Sequence, residues 1–116
     1  MDKIGFRHAI RGIFTAVKLE RNMKIHFVAM LLVLFTGLWL NVTVIEWLFL
    51  LIAIAMVLVA ELLNTSIEII TDQIFTERHD VAKQIKDISA GAVLIASIFA
   101  LIIGIIIFVP RIISLL

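Results

Sequence analysis

Apolar residues fall along this chain in three nearly unbroken runs, covering about residues 23–40, 46–70 and 88–109. A helix rising about 1.5 Å per residue needs roughly 20 such residues to cross a hydrocarbon layer about 30 Å thick. The pattern therefore predicts three transmembrane helices. A transmembrane barrel would show alternation with period two, but residues 48–59 are apolar at every position. The first run is the shortest, with 14 continuous apolar residues at 27–40. It reaches full length only if its helix begins near Arg21, with charged ends reaching to the headgroups. The alternative for this run is a helix buried in a larger assembly.

Ahead of the runs, Phe6, Ala9, Ile10, Ile13, Phe14 and Val17 recur at three- and four-residue spacing, with Arg7, Arg11 and Lys18 off that stripe. This predicts an amphipathic helix over about 4–19, lying in the membrane interface with its basic face toward anionic headgroups. It serves either as a plain anchor or as one wall of a site on the same side, where Gly12 would allow close approach of another helix. The first 26 residues hold no apolar core of the signal-peptide kind, so the N-terminus is expected to be retained.

Composition narrows the class. The 116 residues are 63% hydrophobic and 16% charged, with mean hydropathy +1.19. That leaves too little polar surface to coat a soluble domain. One membrane-embedded domain over 1–116 is expected. With no cysteine, disulfides and thiolate metal sites are excluded. Net charge is only +1, but its placement is informative. Six Lys or Arg lie in the first 26 residues, none lies in the turn at Asn41, Val42 and Thr43, and the next connection carries Arg78, Lys83 and Lys86. Basic loops mark the cytoplasmic side. The chain should therefore have its N-terminus cytoplasmic and its C-terminus extracytoplasmic.

The second run ends in a polar stripe. Glu61, Asn64, Glu68 and Asp72 stand at offsets 0, 3, 7 and 11, which at about 100° per residue fall nearly on one line. Thr65 lies beside them, and Leu62, Leu63, Ile67, Ile69 and Ile70 occupy the other face. Ionised groups at membrane depth are costly and tend to mark function. Three carboxylates in a row also repel, so a metal ion, a Lys or Arg, or a shared proton must offset them. Polar pairing between helices explains Asn64 and Thr65 well, but explains the acids badly.

The connection at 76–80 reads as non-helical, with Asp80 expected to cap a helix from Val81. Beyond it, Lys83, Lys86 and Asp87 lie close together, and His79 precedes them. By itself this is a basic loop obeying the topology rule. Opposite the carboxylates it suggests a site for phosphate oxygens. In the third run Ala92, Ala96, Ala100 and Gly104 recur every fourth residue, a spacing that permits close helix packing. Three thin helices enclose little, so a homo-oligomer is expected. Phosphate-binding glycine loops, zinc motifs and nucleic-acid modules are absent.

The motif E-L-L-N-T-S-I-E from Glu61 to Glu68, with Asp72, His79 and the stretch around Lys86 and Asp87, resembles the prokaryotic diacylglycerol kinase family. Residues 20–26 are more similar to its undecaprenol kinase branch of Gram-positive bacteria. The resemblance covers roughly residues 12–109. It implies an all-α integral membrane protein: a homotrimer of three-span subunits, each with an N-terminal interfacial helix, and composite sites between neighbours. It further implies transfer of the γ-phosphoryl group of ATP, with Mg2+, to a membrane lipid alcohol.

In that scheme Glu61 is the general base and Asn64 supports it. Glu20 and Glu68 hold metal, Lys86 contacts the phosphates with Asp87 as its paired acid, and Asp72 and His79 lie near the nucleotide. An arginine near the start of the family's surface helix has no clear match, and Arg7 or Arg11 would take its place. Lys24 and His26 stand where the diacylglycerol branch has arginine and glutamate, which favours undecaprenol over diacylglycerol as acceptor. Outside the family, a small proton- or cation-coupled transporter or a structural membrane subunit would also carry buried carboxylates.

Overall fold

The computed structural model describes residues 3–116, with side chains from residue 5 onward. Four helices follow in order: α1 over Lys3–Leu19, α2 over Arg21–Leu40, α3 over Val44–Ile74 and α4 over Asp80–Leu115. The last three are long and apolar enough to cross a membrane. The fold is all-α, as the sequence predicts, and α2 starts at Arg21 and so attains the 20 residues that a span requires.

Local sequence sets the joints. Asn41 ends α2 in the left-handed region at φ 58°, a conformation Asn tolerates better than most residues. Two residues on, Thr43 opens α3 with a reciprocal cap. Its hydroxyl accepts from the Glu46 N–H at 3.2 Å, and its own N–H donates to Glu46 Oε1 at 2.9 Å. At the other end of α3, residues 75–79 are non-helical. The cap of α4 is His79, not Asp80: the His79 Nδ1 accepts from the Val81 N–H at 3.0 Å, and Asp80 is already the first helical residue. Asp80 still places a negative charge in the first turn, where the helix dipole favours it.

Packing follows the small and polar residues. α3 and α4 share the largest interface. On α3 the buried residues are Leu50, Ala53 and Val57, then Glu61, Asn64, Thr65 and Thr71, while Leu63, Ile69 and Ile70 are exposed. Polar inside and apolar outside is the arrangement lipid demands, since lipid offers no hydrogen bonds to an outward polar group. On α1 the apolar stripe Phe6, Ile10 and Phe14 is exposed, and Ala16 is the buried residue.

The glycines divide unexpectedly. Neither Gly12 nor Gly104 has any other residue within 4 Å of where a Cβ would stand, whereas a Cβ on Gly37 would lie 2.6 Å from the Trp47 ring. Close approach within the chain is therefore made at the α2–α3 turn. In the small-residue column of α4, Ala96 is buried and Ala92 is exposed.

Candidate active site

Glu20, the residue between α1 and α2, is where the site begins. It occupies the N-cap position of α2, but its side chain makes no capping bond. Its carboxyl instead lies against Glu68 of α3. Burial, then the Glu68 charge and hydrogen bond, then Glu61 and Asp72, hold its pKa above the ordinary carboxylate value. The junction of the surface helix with the first span thus delivers a fourth acid to the stripe of α3.

Along α3 the stripe is tied to both neighbouring helices. Glu61 is 2% exposed and meets His26 of α2, with Nε2 at 3.1 Å from Oε1. Asn64 donates from Nδ2 to Glu68 Oε1 at 3.1 Å and accepts from the Ser89 hydroxyl of α4 at 2.6 Å. The chain Ser89, Asn64, Glu68 therefore spans α4 and α3 and fixes one Glu68 oxygen. Asn64 supports Glu68 rather than Glu61 through these bonds. Thr71 bonds within its own helix to the Ile67 carbonyl at 2.7 Å. The Thr65 hydroxyl is buried and has no hydrogen-bond partner among the described residues. Pairing between helices accounts for Asn64, then, and leaves Thr65 open.

The lysines pair differently from the sequence-based expectation. Lys86 reaches across to Asp72 of α3, with Nζ 2.5 Å from Oδ1. Asp87 is paired with Lys83 at 2.6 Å on the exposed side of α4. Asp87 is thus not the paired acid of Lys86. The reason is helical geometry: position i+4 lies above i on one face, while adjacent residues diverge by about 100°. His79 lies against Phe75, ring centroids 4.9 Å apart and tilted by 39°, while capping α4. Arg7 and Arg11 make no ion pair among the described residues.

Two recesses flank these groups. An apolar groove of about 480 Å³ runs between α2, α3 and α4, with His26 among its lining and Phe108 and Val109 at its far limit. A second, of about 510 Å³, lies under α1 against α3 and is edged by His8, Arg11, Thr15, Thr65 and Ser66. Among the described residues no three acids or imidazoles converge closely enough to hold a cation by themselves.

Comparison with known proteins decides the class. Residues 7–108 match the model of the family described as prokaryotic diacylglycerol kinase. The chain belongs to the prokaryotic diacylglycerol kinase family. It is a lipid kinase and a multi-pass membrane protein, and the family implies a nucleotide as phosphate donor. The chain is 40% identical over 106 residues to the undecaprenol kinase of Bacillus subtilis, covering 91% of this chain and 86% of that one. It is 34% identical over 114 residues to a diacylglycerol kinase of Synechocystis, covering 97% and 65% of the two chains. With the diacylglycerol kinase of Escherichia coli it shares 38% identity over 92 residues, 79% of this chain and 75% of that one.

Sequence reasoning passed over Ser89, and it read His26 only as a departure from the diacylglycerol branch. Ser89 lies three residues past Lys86 on the same helix face, which is the signal that would have found it. For His26 the only hint is a titratable residue at the head of an apolar run.

Proposed function

We propose that this protein transfers the γ-phosphoryl group of ATP, with Mg2+, to the hydroxyl of undecaprenol, yielding undecaprenyl phosphate. The carrying observation is the placement of Glu61: a buried carboxylate beside His26, which itself lines the apolar groove. A lipid alcohol whose chain lies in that groove brings its hydroxyl to the acidic cluster. Glu61 accepts the hydroxyl proton, the alcohol oxygen forms its bond to the γ-phosphorus, and the bond to the ADP oxygen breaks. Lys86 exchanges Asp72 for phosphate oxygens and offsets their charge. Asp72, the present partner of Lys86, and His79 are candidates for contact with the nucleotide.

Glu20 and Glu68 fit a divalent cation. Two acids in contact, with a raised Glu20 pKa, hold charge that a cation relieves. Mg2+ is commonly held by one or two carboxylates with water and substrate phosphates completing the shell. When bound, it supplies neutralisation of the phosphate charge. Asn64 and Ser89 keep Glu68 aimed at that position. Arg11, at the edge of the recess under α1, and Arg7 on the same helix are the candidates for contact with the nucleotide.

The undecaprenol reading over diacylglycerol rests on the similarity to the Bacillus subtilis protein and on His26 and Lys24. Three thin helices enclose little of the site, with Asp72 60% and Lys86 39% exposed, which supports a homotrimer with composite sites. The distribution of basic residues supports a cytoplasmic N-terminus and an extracytoplasmic C-terminus. Purified protein, given Mg2+ and ATP with undecaprenol and diacylglycerol in competition, should phosphorylate undecaprenol preferentially. Preference for diacylglycerol would transfer the assignment to that lipid, and no transfer to either would remove the mechanism.

A further inference from the structure

At the depth of Glu61 an ionised carboxylate standing alone is costly. Among the described residues its one ion-pair partner is His26. The imidazole is 23% exposed and is the only titratable group lining the apolar groove, whereas Glu61 is enclosed. His26 therefore stands at the boundary between the buried acid and the groove. We infer that His26 is a positioning residue for Glu61. Its Nε2, 3.1 Å from Oε1, pairs with that oxygen and so holds the carboxylate rotamer, which leaves Oε2 to accept the hydroxyl proton of the lipid alcohol. Such a role parallels the general pattern in which a base is itself oriented by a second hydrogen-bonding group. This inference rests on the reading of Glu61 as base.

The test uses the full-length protein, MgATP and undecaprenol, with kcat and KM measured separately. His26→Gln keeps an amide N–H near the place of Nε2. His26→Phe keeps the ring bulk and loses the donor, and the shorter His26→Asn holds its amide too far from Oε1. The Phe and Asn variants should lose kcat roughly tenfold or more, a part of the 10²–10⁴ that a general base contributes. Their KM for MgATP should be unchanged, and His26→Gln should keep kcat within about threefold of the unsubstituted protein. In a Glu61→Gln background, His26→Phe should cost no further activity, since the group it positions is gone.

Wild-type kcat in the Phe and Asn variants would overturn the inference, as would equal losses in Gln and Asn or an additive loss on top of Glu61→Gln. If phenylalanine prevents insertion, the Gln and Asn pair decides. Full turnover by Glu61→Gln alone would remove the base reading and this inference together. An inactive Glu61→Gln beside unimpaired His26 variants would remove only the inference.

Discussion

At the Asn41 end of the bundle, Arg111 of α4 binds Glu46 of α3 through two nitrogens, one at 3.2 Å, and Nη1 donates to the Leu40 carbonyl of α2 at 3.5 Å. One cation meets one anion there, and the orphan carbonyl at the end of a helix is satisfied as well. At the opposite end Glu20, Glu61, Glu68 and Asp72 gather around Lys86 and His26, and a buried threonine hydroxyl has no partner among the described residues. The first end is finished within the chain. The second carries more negative charge than the described residues neutralise, with Glu61 itself buried, and surplus of one sign at a partly buried cluster is the mark of groups held for a ligand. Polar residues that join helices thus stand at one end, and those proposed to do chemistry stand at the other.

The sharpest way to break this contrast is Glu61→Gln. Turnover should fall about 10²–10⁴-fold while oligomeric state and nucleotide binding persist, as read by a phosphorylation assay beside size-exclusion chromatography. Next in size is Glu68→Gln. It should raise the Mg2+ concentration needed for half-maximal rate by roughly tenfold or more. In metal-free buffer it should also raise the melting temperature, because it relieves repulsion with Glu20. A lowered melting temperature there would show that the acids stabilise the fold and are not poised for a cation.

At the other end the expectations reverse. Gly37→Ala drives a methyl against Trp47 and should cost about 1–3 kcal/mol of stability. Arg111→Ala should lower the melting temperature modestly. For either variant, turnover per folded enzyme should stay within about twofold. A selective loss of kcat would make that end part of the catalytic machinery.

The smallest effect concerns pH. The Glu20 pKa is raised in the folded chain, so in the absence of metal its ionisation opposes folding. Stability from this group is present below its unfolded pKa and is lost as pH rises through its folded one. Cation binding runs the other way, because it requires the ionised form. Apparent Mg2+ affinity should weaken on acidification from a higher pH than an ordinary carboxylate would give. Titrations in chelator and in Mg2+ should show opposite slopes, and Glu20→Gln should flatten both, leaving in Mg2+ only the dependence that Glu68 contributes.

Much of this molecule was legible without coordinates. Three long helices follow from the length of the apolar runs, since lipid leaves the backbone no alternative to satisfying itself. The alignment of Glu61, Asn64, Glu68 and Asp72 follows from helical periodicity alone. Which groups meet across helices did not follow. Spacing of four within α4 already gives Lys83 to Asp87, but only the crossing of α3 and α4 decides that Lys86 takes Asp72. The partnership of His26 with Glu61, 35 positions apart in the chain, and the Ser89 bond to Asn64 likewise exist only once α2 and α4 pack on α3. Periodicity fixes directions within one helix. Contacts between helices depend on their relative rotation and depth, which small packing differences set and no single helix encodes.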